Sequence, residues 1–254
     1  MNEGELAAVV AEFEAARARG EYFPRAWFDR LSLDDAYRIQ LALIARRPGA
    51  RRVGWKVGLT STAIQQQFAV HEPVFGCLLA EGRLASGHVF GAGELIAPGF
   101  ENELCIVMGS DLAPGATPAA VAAAVDRVHP AFEIIETRGD LTRQLALALA
   151  DNAQQKGFVL GPPVERAALP ELDRVRVSVS INGREAAAAD GSAVLGHPYN
   201  SVAWLAAKLA QFGERVKAGD HIMSGSFTRQ FPLAPGDRIA ADFAGIGRVA
   251  ASLA

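Results

Sequence analysis

The chain has 254 residues, half of them hydrophobic and 21% charged, with a formal net charge of -3. That length supports one large domain with an ample core, and the slightly acidic balance supplies no basic stripe for a phosphate backbone, which excludes nucleic acid as a charge-driven partner. No apolar run approaches membrane-spanning length, and residues 1–19 are acidic and alanine-rich, unlike a secretory signal.

Residues 5–19 mix alanine with charge and predict a helix stopped by Gly20. A second helix is predicted from the cap Ser32, with Asp34 and Asp35 favouring the helix dipole. Its Tyr37, Leu41 and Ile44 recur at helical spacing, and Pro48-Gly49 ends it. Residues 52–60 then change character: valines, Trp55 and the glycines 54 and 58 predict a strand ending in a tight turn. Lys56, between those glycines, is a site candidate where backbone and ligand approach closely; the other reading is a surface lysine on an edge strand. Thr62 and Gln65 form a capping-box pattern for a short helix ending near Phe68. His71 and Glu72 fall in a loop leading to a short apolar segment. Cys77 and Cys105 lie in apolar surroundings without metal-ligand spacing, so they read as buried free thiols suited to a reducing cytoplasm.

Short strands are predicted over 84–90. The stretch Pro98-Gly99-Phe100-Glu101-Asn102-Glu103 then opens an apolar run to Met108. Residues i and i+2 of a strand share a face, so Glu101 and Glu103 point together. Like charges that close need a cation, a proton or water between them, or else both face solvent. Glu133 tips the balance toward a metal, because it sits among Phe132, Ile134 and Ile135 in a predicted buried strand over 128–138. Glu136 and Arg138, two residues apart, are expected to pair with each other. A helix over 117–125 capped by Thr117 lies between the two strands.

Asp151-Asn152-Ala153 ends an apolar helix before a strand at 158–161. Residues 175–181 alternate valine with polar residues, and Asn182-Gly183 signals a hairpin. Residues 199–212 carry Val202, Leu205, Ala206 and Leu209 at helical spacing, with Gly213 as the stop. The tail is β-rich: 222–226, a turn at Pro235-Gly236-Asp237, then 239–243 and 249–253. Helices early and strands late argue an α+β fold on a large mixed or antiparallel sheet, not repeated βαβ units.

Three carboxylates without histidine or thiolate partners favour a hard cation, Mg²⁺ or Mn²⁺ ahead of zinc. No G-x-S-x-G elbow is present, Ser224-Gly225-Ser226 lacks a histidine base, and no Rossmann or P-loop glycine pattern occurs.

The fragments Gly54-Trp55-Lys56-Val57-Gly58-Leu59-Thr60-Ser61, residues 98–103, Ala131-Phe132-Glu133-Ile134-Ile135, Asp151-Asn152-Ala153, Leu195-Gly196-His197-Pro198, Val202-Ala203-Trp204-Leu205 and Ser224-Gly225-Ser226 occur in one order. Together they make a chain that resembles the 2-keto-4-pentenoate hydratase and 4-oxalocrotonate decarboxylase branch of the fumarylacetoacetate hydrolase superfamily. The resemblance implies a mixed β-roll with flanking helices, and the residue patterns divide the chain into a helical region over 1–50 and a metal-binding catalytic domain over 51–254. It implies Mg²⁺ or Mn²⁺ on Glu101, Glu103 and Glu133, Lys56 as the site lysine, and substrate contacts from Gly58, Leu104, Asn152, Ser224, Gly225 and Ser226. It further implies homo-oligomers, a small 2-oxo acid from aromatic meta-cleavage as substrate, and a pathway enzyme such as an aldolase as a possible partner.

Two departures stand out. Many hydratases of the branch carry an acidic residue where this chain has Val74, whereas decarboxylase-like members are often apolar there; Gln154 also replaces a small polar residue. Glu72 is the remaining candidate acid or base. The expected activities run from hydratase to decarboxylase, then carbon-carbon hydrolase, then a non-catalytic binding protein.

Overall fold

The computed structural model describes residues 1–254. Helix α1 (Glu3–Ala18) begins earlier than predicted because Asn2 closes a capping box: its side chain accepts the Glu5 N–H at 3.0 Å, and Glu5 accepts the Asn2 N–H at 2.8 Å. Helix α2 (Leu33–Arg46) starts, as expected, after Ser32, whose hydroxyl accepts the Asp35 N–H at 3.1 Å. Both helices bury apolar faces in the main core, where Tyr37 stacks on Phe75 with ring centroids 4.1 Å apart. Gln40 donates to the carbonyls of Phe75 and Leu149 at 3.3 and 2.6 Å. Residues 1–50 are therefore a layer of the common core, with no separate core of their own.

The chain continues as β1 (Arg52–Gly58), α3 (Thr62–Gln67), β2 (Val74–Leu79), β3 (Arg83–Ala85), β4 (His88–Phe90) and β5 (Pro98–Met108). Next come α4 (Pro118–Ala124), β6 (Val125–Glu136), α5 (Leu145–Ala150), β7 (Gln155–Leu160), β8 (Val164–Glu165), β9 (Arg176–Ile181) and β10 (Arg184–Asp190). Helix α6 (Pro198–Ala210), β11 (His221–Met223), β12 (Phe231–Pro232), β13 (Arg238–Phe243) and β14 (Gly247–Leu253) complete it. The α3 cap is Ser61, one residue before the predicted Thr62. Ser61 is the extended residue and its hydroxyl accepts the Ile64 N–H at 3.4 Å, while Gln65 turns to the Leu59 carbonyl at 2.9 Å. The predicted strand at 222–226 ends at Met223, where the chain turns away through Gly225.

One sheet runs β2-β1-β11-β5-β6-β7-β3, with β12 added to β5 and β8 to β6. Its pairs are antiparallel except β1 with β11 and β3 with β7. The sheet curls until β2 comes beside β7, which makes the expected roll. A second sheet, β10-β9-β13-β14-β4, packs on it through β14. Gly54 makes the β1–β11 approach possible: at φ 156° it lies where a Cβ would overlap the backbone of His221.

Alternation along the long strands decides what faces the inside of the curl. On β5 the outward set includes Phe100, Leu104 and Ile106, which join the main core; the inward set is Glu101, Glu103 and Cys105. Below the glutamates the interior is plugged by Val53, Leu78, Cys105, Ala131, Phe158 and Met223, a dry cluster that includes one of the two buried free thiols. The polar centre consequently opens to one end only.

Candidate active site

Antiparallel register places Glu133 of β6 directly opposite Glu101 of β5, and carboxylate oxygens of Glu101, Glu103 and Glu133 lie within 4.8 Å of one another. Lys56 reaches the cluster from β1, its Nζ 3.3 Å from Glu133 Oε1. Strand β11 lies between β1 and β5, and because it stops at Met223 the Gly225 N–H can donate to Glu103 Oε2 at 2.8 Å. Gly225 has φ 106°, and a Cβ there would overlap Thr60, so only glycine brings this amide to Glu103.

Burial dominates the electrostatics. Glu103 and Glu133 are fully buried and Lys56 is 5% exposed. Burial pushes the Glu133 carboxyl up to about 7, with Lys56 pulling it down and Glu101 pushing it further up. Glu103 is driven well above the carboxylate range, first by burial and then by Glu133 and Glu101, with the Gly225 amide opposing. Burial disfavours the Lys56 ammonium, yet the combined field of Glu133, Glu101 and Glu103 outweighs it and raises its pKa. Lys56 therefore stays charged at neutral pH, one cation facing three acids.

Oε1 of Glu103 and both oxygens of Glu133 have no hydrogen-bond partner, so the Lys56–Glu133 contact is an ion pair without directed hydrogen-bond geometry. Orphaned buried carboxylate oxygens call for an occupant. Hard oxygen donors with surplus negative charge fit a divalent cation such as Mg²⁺, Mn²⁺ or Ca²⁺. By contrast a second acid–histidine group, Glu171, Asp173 and His197, lies where solvent reaches it.

This electrostatic arrangement predicts opposite pH trends with and without metal. Raised folded-state carboxyl pKa values mean that the folded, metal-free protein binds more protons than the unfolded chain. Its stability should then fall as pH rises from about 4.5 through about 7. With saturating Mg²⁺ the carboxylates are neutralised by the ion and the melting temperature should climb over the same range. Thermal melts at pH 5 to 8 in chelator and in Mg²⁺ test this; parallel curves would contradict it.

Above the cluster is a cavity of about 960 Å³ whose floor is Lys56, Gly58 and Glu101. Glu103 and Glu133 lie just behind that floor. Leu59, Ile64, Phe68, Val74, Leu145 and Phe227 supply apolar walls, while Thr137, Asp140, Gln154, Arg229 and Gln230 add polar ones. Gly58 and Ser226 line the cavity.

Four expected site residues are not brought there. Glu72 turns away, its half-exposed carboxylate held by Lys208 at 2.8 Å and Trp204 at 3.3 Å. The Leu104 side chain is in the outer core, since its parity on β5 is opposite to that of the glutamates; only its carbonyl serves the site, accepting the Ser224 N–H at 3.1 Å. Ser224 itself is fully buried behind the Gly225 turn.

Asn152 is the fourth. Its side chain clamps the backbone of Cys77, accepting from N–H at 2.7 Å and donating to C=O at 2.9 Å. The clamp holds three consecutive left-handed residues, Asn152, Ala153 and Gln154, with φ of 58°, 48° and 60°. That turn carries Ala153 and Gln154 into the cavity wall. Asn152→Ala should cost about 2–3 kcal/mol, because two buried backbone groups lose partners and the strained turn loses its tie. Urea unfolding of the variant measures this, and a loss below 1 kcal/mol would show the turn to be self-supporting.

A curled mixed sheet that buries three converging carboxylates and one lysine under an open cavity defines a β-roll protein whose acidic centre is suited to a divalent cation. The fumarylacetoacetate (FAA) hydrolase C-terminal family model matches residues 85–254. The chain is 38% identical to the 2-hydroxyhexa-2,4-dienoate hydratase of Comamonas testosteroni over 85% of this chain and 84% of that protein. It is 36% identical to the 2-keto-4-pentenoate hydratase of Paraburkholderia xenovorans over 87% and 84%. The 4-oxalocrotonate decarboxylase of Pseudomonas putida G7, solved with calcium and acetate, superposes with a TM-score of 0.91 at 33% identity, covering 100% of this chain and 99% of that one. A second structure of that decarboxylase holds magnesium and adipate. The chain belongs to the fumarylacetoacetate hydrolase family, in the branch of the 2-keto-4-pentenoate hydratases and 4-oxalocrotonate decarboxylases.

Proposed function

We propose that the protein is a Mg²⁺- or Mn²⁺-dependent lyase acting on a conjugated 2-oxo acid, foremost as a 2-keto-4-pentenoate-type hydratase in the breakdown of aromatic meta-cleavage products. The buried Glu101–Glu103–Glu133 cluster, with its orphaned oxygens and Lys56 at the cavity floor, carries this reading. A divalent cation held by Glu101, Glu103 and Glu133 would supply positive charge to offset the negative charge that develops on a conjugated 2-oxo acid. Lys56, held protonated by three carboxylates, acts as donor: it hydrogen-bonds the enolate side of the substrate and holds the proton to be returned to carbon. The apolar walls keep the chain of the acid away from bulk water and fix its direction. The proposal includes a cytoplasmic homo-oligomer working beside another enzyme of the same catabolic sequence.

Decarboxylation is the second reading, favoured by one observation. Val74 lines the cavity where an acid would serve a hydratase, and Glu72 is tied to Lys208 outside it. Loss of CO₂ needs no water-activating base, and an apolar wall favours a carboxylate leaving as a neutral molecule.

Incubation with 2-hydroxypenta-2,4-dienoate, 4-oxalocrotonate and an acylpyruvate, in Mg²⁺ or chelator, with absorbance and CO₂ followed, separates these readings. Hydration of the dienoate in Mg²⁺ alone is the expected result, and CO₂ from 4-oxalocrotonate marks the second reading. Turnover indifferent to chelator would remove the metal, and cleavage of the acylpyruvate would place the protein with carbon-carbon hydrolases.

A further inference from the structure

We propose that Arg138 is a positioning residue: it ties one wall of the cavity to the N-terminal helical layer, and substrate affinity depends on that tie. The inference rests on the 2-oxo acid reading for its choice of substrate. Alternation sets up the arrangement. Glu133 of β6 faces the inside of the roll, and Ile135 and Thr137 continue that face as cavity lining. Glu136 and Arg138 have the opposite parity, so they turn away from the glutamate floor, and Arg138 meets Tyr22.

The Arg138 side chain is 2% exposed and divides its donors between two segments. Its Nη1 donates to Glu136 Oε2 at 2.8 Å, at the end of β6. Its Nε donates to Asp151 Oδ2, and its Nη2 to the Asp151 carbonyl at 3.0 Å. Asp151 immediately precedes the left-handed turn at 152–154, and the Gln154 side chain donates back to the Gly139 carbonyl at 3.2 Å. Residues 137 and 139–142 on one side of this bracing, with Ala153 and Gln154 on the other, line the cavity, while Arg138 stands behind them.

The N-terminal layer backs the same wall. The Tyr22 ring lies 5.4 Å from the Arg138 guanidinium and 5.5 Å from that of Arg17, which faces Asp151 Oδ1 at 3.8 Å. Phe23 packs so closely on Gly139 that a Cβ there would lie 2.3 Å from its ring. Asp29 and Gln144 exchange hydrogen bonds of 3.2 and 2.9 Å. Arg17, Tyr22, Phe23 and Asp29 all precede residue 85, where the family match begins, so the support comes from outside that segment. A buried ion cluster adds little net stability over an apolar plug of equal size, but it fixes one geometry. Here the geometry it fixes is that of a cavity wall.

Arg138→Lys keeps a positive charge beside Glu136 and Asp151 but loses the planar fork that reaches both segments. With 2-hydroxypenta-2,4-dienoate in Mg²⁺, its KM should rise about tenfold while kcat stays within about twofold of wild type. Calorimetric Mg²⁺ affinity should stay within about twofold, because pairing of β5 with β6 holds Glu133 in place without Arg138. Hydrogen exchange should quicken at amides 139–144 and 153–154 and not along β5. Phe23→Leu, which leaves every charge in place, should give the same pattern in smaller measure. Unchanged exchange in that wall, or an unchanged KM where the wall has loosened, would overturn the role of Arg138. So would a loss of Mg²⁺ affinity as large as the rise in KM, which would put the effect at the carboxylates. If the wild-type protein turned over neither this dienoate nor 4-oxalocrotonate, the 2-oxo acid reading would fall, and the link to substrate with it; the exchange result is independent of turnover.

Discussion

Glu103→Gln is expected to reduce turnover by about 10³-fold or more and, in the metal-free protein, to raise the melting temperature. The two effects have one origin. Glu103 is fully buried, its carboxyl is driven well above its ordinary range, and its Oε1 has no partner. Glutamine keeps an acceptor for the Gly225 N–H at nearly the same volume while removing a charge repelled by Glu133 and Glu101. Relieving a buried, poorly compensated charge stabilises a fold by about 1–3 kcal/mol. The same change removes one of the three proposed ligands, so added Mg²⁺ should shift the melt less than it is expected to in the wild type. Melts at pH 8 in chelator and in Mg²⁺, beside an activity assay, measure both halves. A metal-free variant that melts below metal-free wild type would show that the carboxylates are not in conflict.

Lys56→Met should act with the opposite sign on stability. The ammonium is the only cation inside the cluster, and its loss leaves three acids facing one another with Glu133 unpaired. Breaking a buried pair by removing one partner costs about 3–5 kcal/mol. Much of that should be recovered in Mg²⁺, because the ion then supplies the missing positive charge. Turnover should not recover with it: losing the positioned donor costs about 10²–10⁴-fold in rate. Full activity of Lys56→Met in Mg²⁺ would reduce the lysine to a counter-ion.

Much of the site was legible because period-two geometry is a local property. Glu101 and Glu103 share a face by spacing alone, and Glu133 stood out as a charge inside an apolar run. Lys56 was singled out by the glycines around it, and Gly58 and Gly76 do pack against its side chain, where a Cβ would lie 3.4 Å from Nζ and 3.3 Å from Cγ. The Glu136–Arg138 pair, expected from proximity in the chain, is present at 2.8 Å, with Asp151 and Lys156 joining it. Glu72 and Leu104 were misplaced for different reasons. A loop acid has no alternation to orient it, and Lys208 of α6, far along the chain, captured Glu72. Leu104 neighbours Glu103 in sequence but has the opposite parity on β5.

The amino-acid order by itself determined the helices at the front, the strand-rich tail, the buried free thiols and the pairing of acids on one strand face, because caps, turns, apolar runs and alternation are set by near neighbours. Only the folded roll decided that Glu133 sits across from Glu101, that Gly225 reaches Glu103, and that Asn152 clamps Cys77 rather than bordering the cavity. Each of those depends on strand register and sheet curvature, which join residues tens to more than a hundred positions apart and which no local pattern encodes.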